Sequence, residues 1–521
     1  MTNRSWKKVI LGLIFLILSV FYTILFFKKA NFGETMVFNV AHLKSLSNVF
    51  VSPINFDFWN HTGSQINFFS PWLTVLTGWL FVQFNVTYGF SVYLTIITFL
   101  TLISAYFFMN KFHKDTFEAI LFAIAYTFSL NRFVLVFFNQ RLENYLALIF
   151  LPMVYFGLYQ FLTNQSWKYL VWGEVLLVWT SPYLAIAVAM TAIVAFILIP
   201  FYKVSHSWNY LKNFSFNIFK VIGMGILTTI GFIGPLVLKQ LNLNWQQDPI
   251  KNFGYLNWFI NLHLPQTQWY LLIAVGGLLL LLILMIFLQS SFAYKVIILE
   301  IIPITCLLIF QPTILKLDIS RLIFAFQSIF DLFIIMILCR IILLVFQESP
   351  ATLRLMILLI SIVGLGYINY SQVSSDNPKQ TLQMADSVNY NKFVMNYHDV
   401  AKNSNNVFKV DGKEERVSYH TKGSNYWIQY INPQTTALEV PIQYLANYQV
   451  QVNNEPVSVK KTKQNTIQFK TNPGKNMIEI HSRYDWPSLS LLTINLFGFM
   501  LLIYFSLQNI PLKNKKNPEN S

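Results

Sequence analysis

Long apolar runs are the feature of this sequence that most constrains its fold. The first run, VILGLIFLILSVFYTILFF at residues 9–27, has the length that a helix needs to cross a bilayer core, which is about 20 residues. Similar runs recur along the 521-residue chain, which is 55% hydrophobic and only 11% charged. Soluble proteins carry about 25% charged residues, so the sequence predicts a polytopic α-helical membrane protein.

The charges predict how the first helix is oriented. Basic residues, Arg4, Lys7 and Lys8, precede the first apolar run. That run is longer than the core of a typical signal peptide and no small-residue cleavage site follows it, so we expect a retained helix with a cytoplasmic N-terminus. We attribute the net charge of +15 to cytoplasmic loops rather than to nucleic-acid binding. Cys306 and Cys339 lie in apolar runs and indicate neither a disulfide nor a metal cluster.

About twelve transmembrane helices are expected from the apolar runs. They are predicted at residues 9–27, 88–109, 116–131, 145–163, 167–180, 182–202, 217–239, 268–289, 293–311, 322–346, 352–370 and 488–507. The stretch PWLTVLTGWLFVQF at 71–84 is short for a span, and counting it as one would move the basic NKFHKD at 110–115 outside the cell. We therefore expect a surface or re-entrant helix at 71–84, with both termini cytoplasmic.

The polar segment at 371–487 differs from the rest of the chain. Short stretches such as NYWIQYI and YQVQVNN alternate in polarity and are separated by Asn, Pro and Gly, which predicts a small antiparallel β-domain. The expected organisation is a transmembrane domain at 1–370 with a first outer loop at 28–87, this extracytoplasmic β-domain, a final helix at 488–507 and a basic cytoplasmic tail at 508–521.

Two pairs of titratable residues stand out in the first outer loop. Glu34 and His42 lie eight residues apart, so they would share one helical face if that stretch is a helix. Asp57 and His61 lie four residues apart, which also fits one helical face. A carboxylate at the outer membrane face can act on a lipid-linked substrate, whereas the simpler alternative is four solvated loop residues.

A second set of candidates lies in NRFVLVFFNQRLENYLALIF at 131–150. We expect Arg132, Arg141 and Glu143 to stand at the outer mouth of a helix. Arginine suits phosphate because its guanidinium donates two parallel hydrogen bonds, but interfacial snorkelling explains the same pattern equally well.

Three acidic residues fall within predicted spans, namely Glu174, Glu300 and Asp331. Carboxylates inside the membrane are costly and often functional, so a proton or ion relay is an alternative use of the chain. Asp331 could pair with Arg321 or Arg340. The outer loop at 240–267 mixes aromatic and amide side chains, which suits either sugar binding or a membrane interface.

Four stretches carry a resemblance to a known family. They are GETMVFNVAHLKSL, NHTGSQINFFSPWLTVL, NQRLENYLALIFLPMVYFGLY and VPIQYLANYQVQVNNEPVSV. Together with the order of helix, outer loop and surface helix, they resemble the bacterial membrane proteins called YfhO-like or 6-pyruvoyl-tetrahydropterin synthase-related. These in turn are similar to the GT-C class of membrane glycosyltransferases.

The resemblance implies sugar transfer from a polyprenyl-phosphate donor to a cell-envelope polymer or lipid, at the outer face of a bacterial cell membrane. It implies that Glu34 acts as the base or binds a divalent metal, and that Arg141 and Glu143 belong to the second motif. The chain departs from the family pattern in four places: Glu34 replaces the usual Asp, Leu142 an expected Gly, Ser181-Pro182 an expected His and Asp331 an expected Arg.

Three functions follow as alternatives. The first is a glycosyltransferase in which Glu34 is catalytic and Arg132, Arg141, Glu143, His42, Asp57 and His61 bind the lipid-linked donor or the acceptor. The second is a transporter or flippase of a lipid-linked glycan that uses the intramembrane carboxylates. The third is a non-catalytic scaffold whose β-domain binds envelope partners. Membrane lipids are expected partners in every case.

Overall fold

The computed structural model describes most of the chain. It covers residues 3–29, 34–64, 66–198, 208–240, 287, 291–309, 320–374, 407–444 and 448–508. The predicted span at 268–289 apart from residue 287, the loop at 241–267, most of the first part of the 371–487 segment and most of the tail lie outside the described residues.

Helices dominate the described part of the chain. In order they are α1 (Asn3–Lys29), α2 (Glu34–Ser45), α3 (Ile66–Phe69), α4 (Leu76–Val82), α5 (Val86–His113), α6 (Thr116–Thr127), α7 (Leu130–Phe133), α8 (Leu142–Ala147), α9 (Leu151–Asn164), α10 (Lys168–Val178), α11 (Pro182–Leu198), α12 (Trp208–Gln240), α13 (Phe292–Ile309), α14 (Ser320–Val345), α15 (Ala351–Ser374) and α16 (Trp486–Leu507).

Seven helices within the described residues are long and apolar enough to cross a membrane. They correspond to the spans predicted at 9–27, 88–109, 116–131, 217–239, 322–346, 352–370 and 488–507, and the third is the helical stretch Thr116–Phe138, which includes α6 and α7. The prediction of a polytopic helical membrane protein is therefore confirmed, whereas the total of about twelve spans is not.

The stretch predicted as one span at 145–163 is divided between two helices. The short α8 ends at Ala147, and α9 begins at Leu151 with Pro152 in its first turn. Proline lacks the backbone N–H that a helix interior needs and favours a helix start, so the break follows from the sequence. The next helix, α10, has 11 residues and is about 16 Å long, which is shorter than the bilayer core of about 30 Å.

The stretch at 71–84 does not form a span. Its helix α4 has seven residues and is therefore about 10 Å long. The following helix, α5, has 28 residues and is long enough to cross. This length agrees with the predicted surface or re-entrant helix.

The predicted antiparallel β region is present near the C-terminus. Its strands are β1 (Phe408–Val410), β2 (Lys413–Glu415), β3 (Ser418–Lys422), β4 (Asn425–Asn432), β5 (Thr436–Gln443), β6 (Tyr448–Val452), β7 (Glu455–Pro456), β8 (Lys460–Lys461), β9 (Thr466–Thr471) and β10 (Gly474–Ser482).

The strands form two sheets that share one core. One sheet has the order β2-β1-β5-β9-β8 and the other β3-β4-β10-β6-β7, and all pairs are antiparallel. In β4, every second residue from Tyr426 to Asn432 is buried, as expected when one face of a strand covers a core. Ile478 of β10 lies between Ile428 of β4 and Val452 of β6.

The first loop completes this β core. Ile54 and Phe56 are fully buried in the same apolar cluster as the strands. The Phe56 amide donates to the Gly423 carbonyl at 2.7 Å, in the turn between β3 and β4, and the Gln443 amide donates to the Thr62 carbonyl at 2.9 Å. Ser52 Oγ donates to Ser482 Oγ at 2.9 Å. Residues that lie about 400 positions apart in sequence thus form one folded unit, which we call the loop–β unit (residues 48–63 and 407–482).

The loop–β unit lies at one end of the helical bundle. The chain enters its loop part from α2 and leaves it into α3, and the strands lead into α16. Tyr484, just before α16, donates from its hydroxyl to the Val49 carbonyl at 2.6 Å, which holds the start of the last helix against the loop.

The last helix packs closely on α12 through a glycine. A Cβ atom added at Gly498 would lie 2.6 Å from the carbonyl oxygen of Leu227, whereas one added at Gly223 of α12 would have no neighbour within 4 Å. Gly498 therefore allows the backbones of α16 and α12 to approach each other closely.

Gly498→Ala should destabilise the helical domain because the added methyl group meets backbone rather than a movable side chain. We expect a loss of about 1–3 kcal/mol from overpacking, seen as a lower apparent melting temperature of the detergent-solubilised protein. Gly223→Ala is the matched control and should leave that temperature unchanged or raise it. Equal effects of the two substitutions would contradict this packing.

Candidate functional site

Helix α2 carries two of the predicted site residues. Glu34 is its first residue, and the side chain of Glu34 lies outside the described residues. The helix continues through His42, so the condition for Glu34 and His42 to share a face is met. Leu43 of α2 lies against Gly78 of α4, where an added Cβ would be 2.9 Å from its methyl group. Apolar packing thus fixes α2 on α4.

A hydrogen bond joins α2 to the second predicted motif. The buried side chain of Asn39 donates from Nδ2 to the carbonyl oxygen of Gln140. Gln140 directly precedes Arg141, and Glu143 lies in the first turn of α8. Since a helix rises 1.5 Å per residue, the start of α2 at Glu34 is only about 7–8 Å along the helix axis from this contact. The structure therefore brings together two segments that lie about 100 residues apart.

The backbone around Gln140 is irregular. Residues Val134–Phe138 form a π-helical turn, and Gln140 has a positive φ of 50°. Such π turns and left-handed non-glycine residues recur at functional sites, where the surrounding structure holds them in place. Arg141 and Glu143, which follow, are half-buried and so retain access to a ligand.

The junction between α10 and α11 contacts the same region. Ser181 Oγ donates to Asn144 Oδ1 of α8 at 3.4 Å. Thr180 Oγ1 donates to Thr74 Oγ1 at 2.9 Å, just before α4. Ser181 is thus close to the second motif. The family resemblance predicted His near this position, but Ser181 supplies only a hydroxyl group.

His42 is buried beneath this region. It is 2% exposed, and its Nε2 atom has no hydrogen-bond partner among the described residues. Burial lowers the pKa of His42 to about 4, and the nearby Asn67 side chain offsets a small part of this shift. His42 is therefore a neutral imidazole at physiological pH and is unsuited to hold an anion by charge.

Asn67 is a polar residue that the sequence analysis did not single out. It lies in α3, is 2% exposed, and lies beside His42, but neither its Oδ1 nor its Nδ2 makes a contact of hydrogen-bonding geometry within the described residues. A buried polar atom without a partner costs about 1–3 kcal/mol, so such groups are uncommon outside functional sites. A sequence signal for Asn67 and Asn39 exists: each is an amide among the apolar residues of a short helix.

Asp57 and His61 do not share a helical face. The chain between them turns irregularly, and both Trp59 and His61 have a positive φ of 59°. Asp57 Oδ2 accepts a hydrogen bond from the Gly423 amide at 2.7 Å, and His61 Nδ1 lies 2.6 Å from the Phe56 carbonyl. The contacts of both side chains hold the loop–β unit together.

Arg132 does not stand at the outer mouth of a helix, where we expected it. It is 0% exposed within the bundle. Its Nη1 donates to the Thr127 carbonyl at 3.1 Å and its Nη2 to Thr98 Oγ1 at 2.9 Å, and its guanidinium carbon lies 4.5 Å from the centre of the Tyr22 ring. The sequence did not reveal this burial because the helical stretch that begins at Thr116 continues through Arg132 to Phe138, past the end predicted at residue 131.

Arg340 contacts a different carboxylate from the Asp331 suggested by the sequence. Glu118, at the start of α6, is fully buried and lies 2.6 Å from His113 Nδ1 and 4.0 Å from Arg340 Nη1. It also accepts a hydrogen bond from the Tyr294 hydroxyl at 2.7 Å. This cluster ties α5, α6, α13 and α14 together at the end of α5 that lies away from α2.

Within the described residues, no group of three or more His, Cys, Asp and Glu side chains is arranged to hold a metal ion. No protein-family model matches the chain. No curated protein matches it either.

Acid should weaken the packing of α2 through His42. The unfolded chain binds a proton at His42 below a pKa of about 6.5, whereas the folded protein binds it only near pH 4, so stability is lost as pH falls between these values. Thermal unfolding of wild type and His42→Leu across this range should show a smaller pH dependence for the variant, by at most about 3 kcal/mol. Parallel pH profiles would show that His42 is not buried as described.

Proposed function

We propose that the chain is a membrane glycosyltransferase that moves a sugar from a polyprenyl-phosphate donor to a hydroxyl group of a cell-envelope polymer or lipid. The observation that carries the proposal is the hydrogen bond from Asn39 to the Gln140 carbonyl. It supports the proposal because it joins the helix that begins at Glu34 to the segment that carries Arg141 and Glu143.

In the proposed reaction Glu34 is the general base. It accepts the proton of the acceptor hydroxyl as that oxygen attacks the anomeric carbon of the donor sugar. The bond between this carbon and the phosphate oxygen breaks, and the polyprenyl phosphate leaves with the electron pair. Arg141 donates hydrogen bonds to the phosphate and offsets its negative charge, as a guanidinium does well.

Other residues have supporting roles in this proposal. His42 and Asn67 supply neutral hydrogen-bonding groups, which suits the hydroxyls of a sugar better than a phosphate. Arg132 is a positioning residue, because its contacts hold the chain that leads to Gln140 rather than reach a ligand. Asp57 and His61 stabilise the loop–β unit through their hydrogen bonds, and this unit holds the end of α2 in place.

The proposed location is the cell membrane, with both termini cytoplasmic and the loop–β unit outside. A lipid-linked donor fits this location because its headgroup lies at the membrane surface, beside the start of α2. The loop–β unit and the loop at 240–267 would then contact the acceptor.

Glu34→Gln should abolish activity because the amide cannot accept the proton. In a deletion strain complemented with this variant, we expect at least a hundredfold loss of one envelope sugar relative to wild type, measured by glycan mass spectrometry at equal membrane abundance. Glu455→Gln, at an exposed position of β7, is the matched control and should restore the sugar fully.

The same assay separates the alternatives. A flippase that depends on an intramembrane carboxylate should fail with Asp331→Asn and retain function with Glu34→Gln. A scaffold should tolerate both substitutions. Full restoration by Glu34→Gln would therefore rule out Glu34 as the base.

A further inference from the structure

A cavity of about 140 Å³ lies in the helical domain, away from the proposed site. It is lined by residues of α5, α6, α9, α11, α13 and α14, including Met109 and Phe112 of α5. These residues lie in the last turns of α5, whereas Tyr93, near its first turns, contacts Gly78 of the surface helix. Since α5 is about 42 Å long, the cavity and the proposed site are at opposite ends of the bundle.

The cavity wall is almost entirely apolar and rich in aromatic rings. Phe108, Phe112, Tyr155 and Phe333 are among the aromatic side chains that face it. The Tyr155 and Phe333 rings pack edge to face with centroids 4.8 Å apart, so the wall is ordered by its own contacts. A cavity of about 150 Å³ accommodates benzene, so this one has room for a group of that size.

Among the described residues that line this cavity, Glu300 of α13 is the one carboxylate, and those described residues give it no counter-ion. It is 3% exposed, and its Oε1 atom has no hydrogen-bond partner within the described part of the chain. Arg340, on the neighbouring α14, contacts His113 and Glu118 instead. Burying an unpaired carboxylate is costly, so without a ligand the Glu300 side chain would hold a proton, and its charged form needs a ligand that supplies a positive charge.

The lining determines the chemical class of that ligand. A divalent metal ion requires six or more oxygen ligands, or a set of nitrogen and sulfur ligands, and the wall offers mainly ring carbons. A neutral apolar molecule would leave Glu300 without a partner. An organic ammonium ion fits both the Glu300 carboxylate and the aromatic wall. Its positive charge is attracted to the carboxylate and to the faces of aromatic rings, and its alkyl groups displace water from the apolar wall.

We propose that this cavity is a binding site for a small organic ammonium ion, held by the Glu300 carboxylate and the surrounding aromatic rings. The site is separate from the proposed glycosyl-transfer site, and it stands whether or not the chain transfers sugar. At its position in the bundle, such a ligand would bridge α13 to α5, α9 and α14.

The test compares two probes of the same shape. Choline carries a quaternary ammonium group, and 3,3-dimethylbutan-1-ol is its neutral carbon analogue. Binding of each to the full-length protein in lipid nanodiscs is measured by isothermal titration calorimetry. We expect choline to bind wild type at least tenfold more tightly than the neutral analogue. This comparison uses wild type alone, so it does not depend on whether a variant folds.

Glu300→Gln should remove the preference for choline, because the amide keeps the shape of the side chain without its charge. Glu174→Gln, which changes an intramembrane carboxylate of α10 that does not line the cavity, is the matched control and should retain the preference. The proposal is overturned if wild type binds neither probe, if it binds both equally, or if Glu300→Gln still prefers choline.

Discussion

The docking of the first loop into the β region is the interaction on which the rest of the arrangement depends. Ile54 and Phe56 are fully buried among the strands, and burying a side chain of this kind contributes about 1.5–3 kcal/mol. Backbone hydrogen bonds at Phe56 and Thr62 fix the register of the loop against the strands. Because α2 leads directly into this loop, the same contacts hold α2 at the end of the bundle.

Once α2 is held in this way, a polar region forms between it and the second motif. Asn39 reaches the Gln140 carbonyl, and His42 of the same helix lies beside the buried amide of Asn67. Arg132 stabilises this region from the interior of the bundle, where Thr98, the Thr127 carbonyl and the Tyr22 ring surround its guanidinium. The geometry that supports the proposed sugar transfer is thus a product of long-range contacts rather than of any single motif.

Local patterns predicted the elements of this fold better than their assembly. Apolar runs predicted the seven helices that are long enough to span a membrane, and alternating polarity in 371–487 predicted the antiparallel strands. Each pattern reflects burial along a single element. The break before α9 follows from Pro152, because proline is excluded from helix interiors. The burial of Arg132 was not indicated by the apolar run, because the helical stretch continues past the predicted end at residue 131 to Phe138.

The contacts between distant segments were the part that could not be predicted. Asp57 and His61 were paired by helical spacing, yet the chain between them turns irregularly, because the non-local hydrogen bond from the Gly423 amide to Asp57 outweighs local periodicity. The alternation of Ile54 and Phe56 was a usable signal for a strand-like segment, but nothing in it indicated that the partner strands lay some 370 residues later. Asn39 and Gln140 meet for the same reason.

The most direct test of this account is a cysteine pair at Ser52 and Ser482, whose Oγ atoms lie 2.9 Å apart. The pair is introduced into a variant in which Cys306 and Cys339 are replaced by serine, and mild oxidation is followed by mass spectrometry of the linked peptides. Docking of the loop predicts rapid and nearly complete formation of an intramolecular disulfide, which neither single cysteine variant can form. Absence of this disulfide, or its formation only between molecules, would contradict the account.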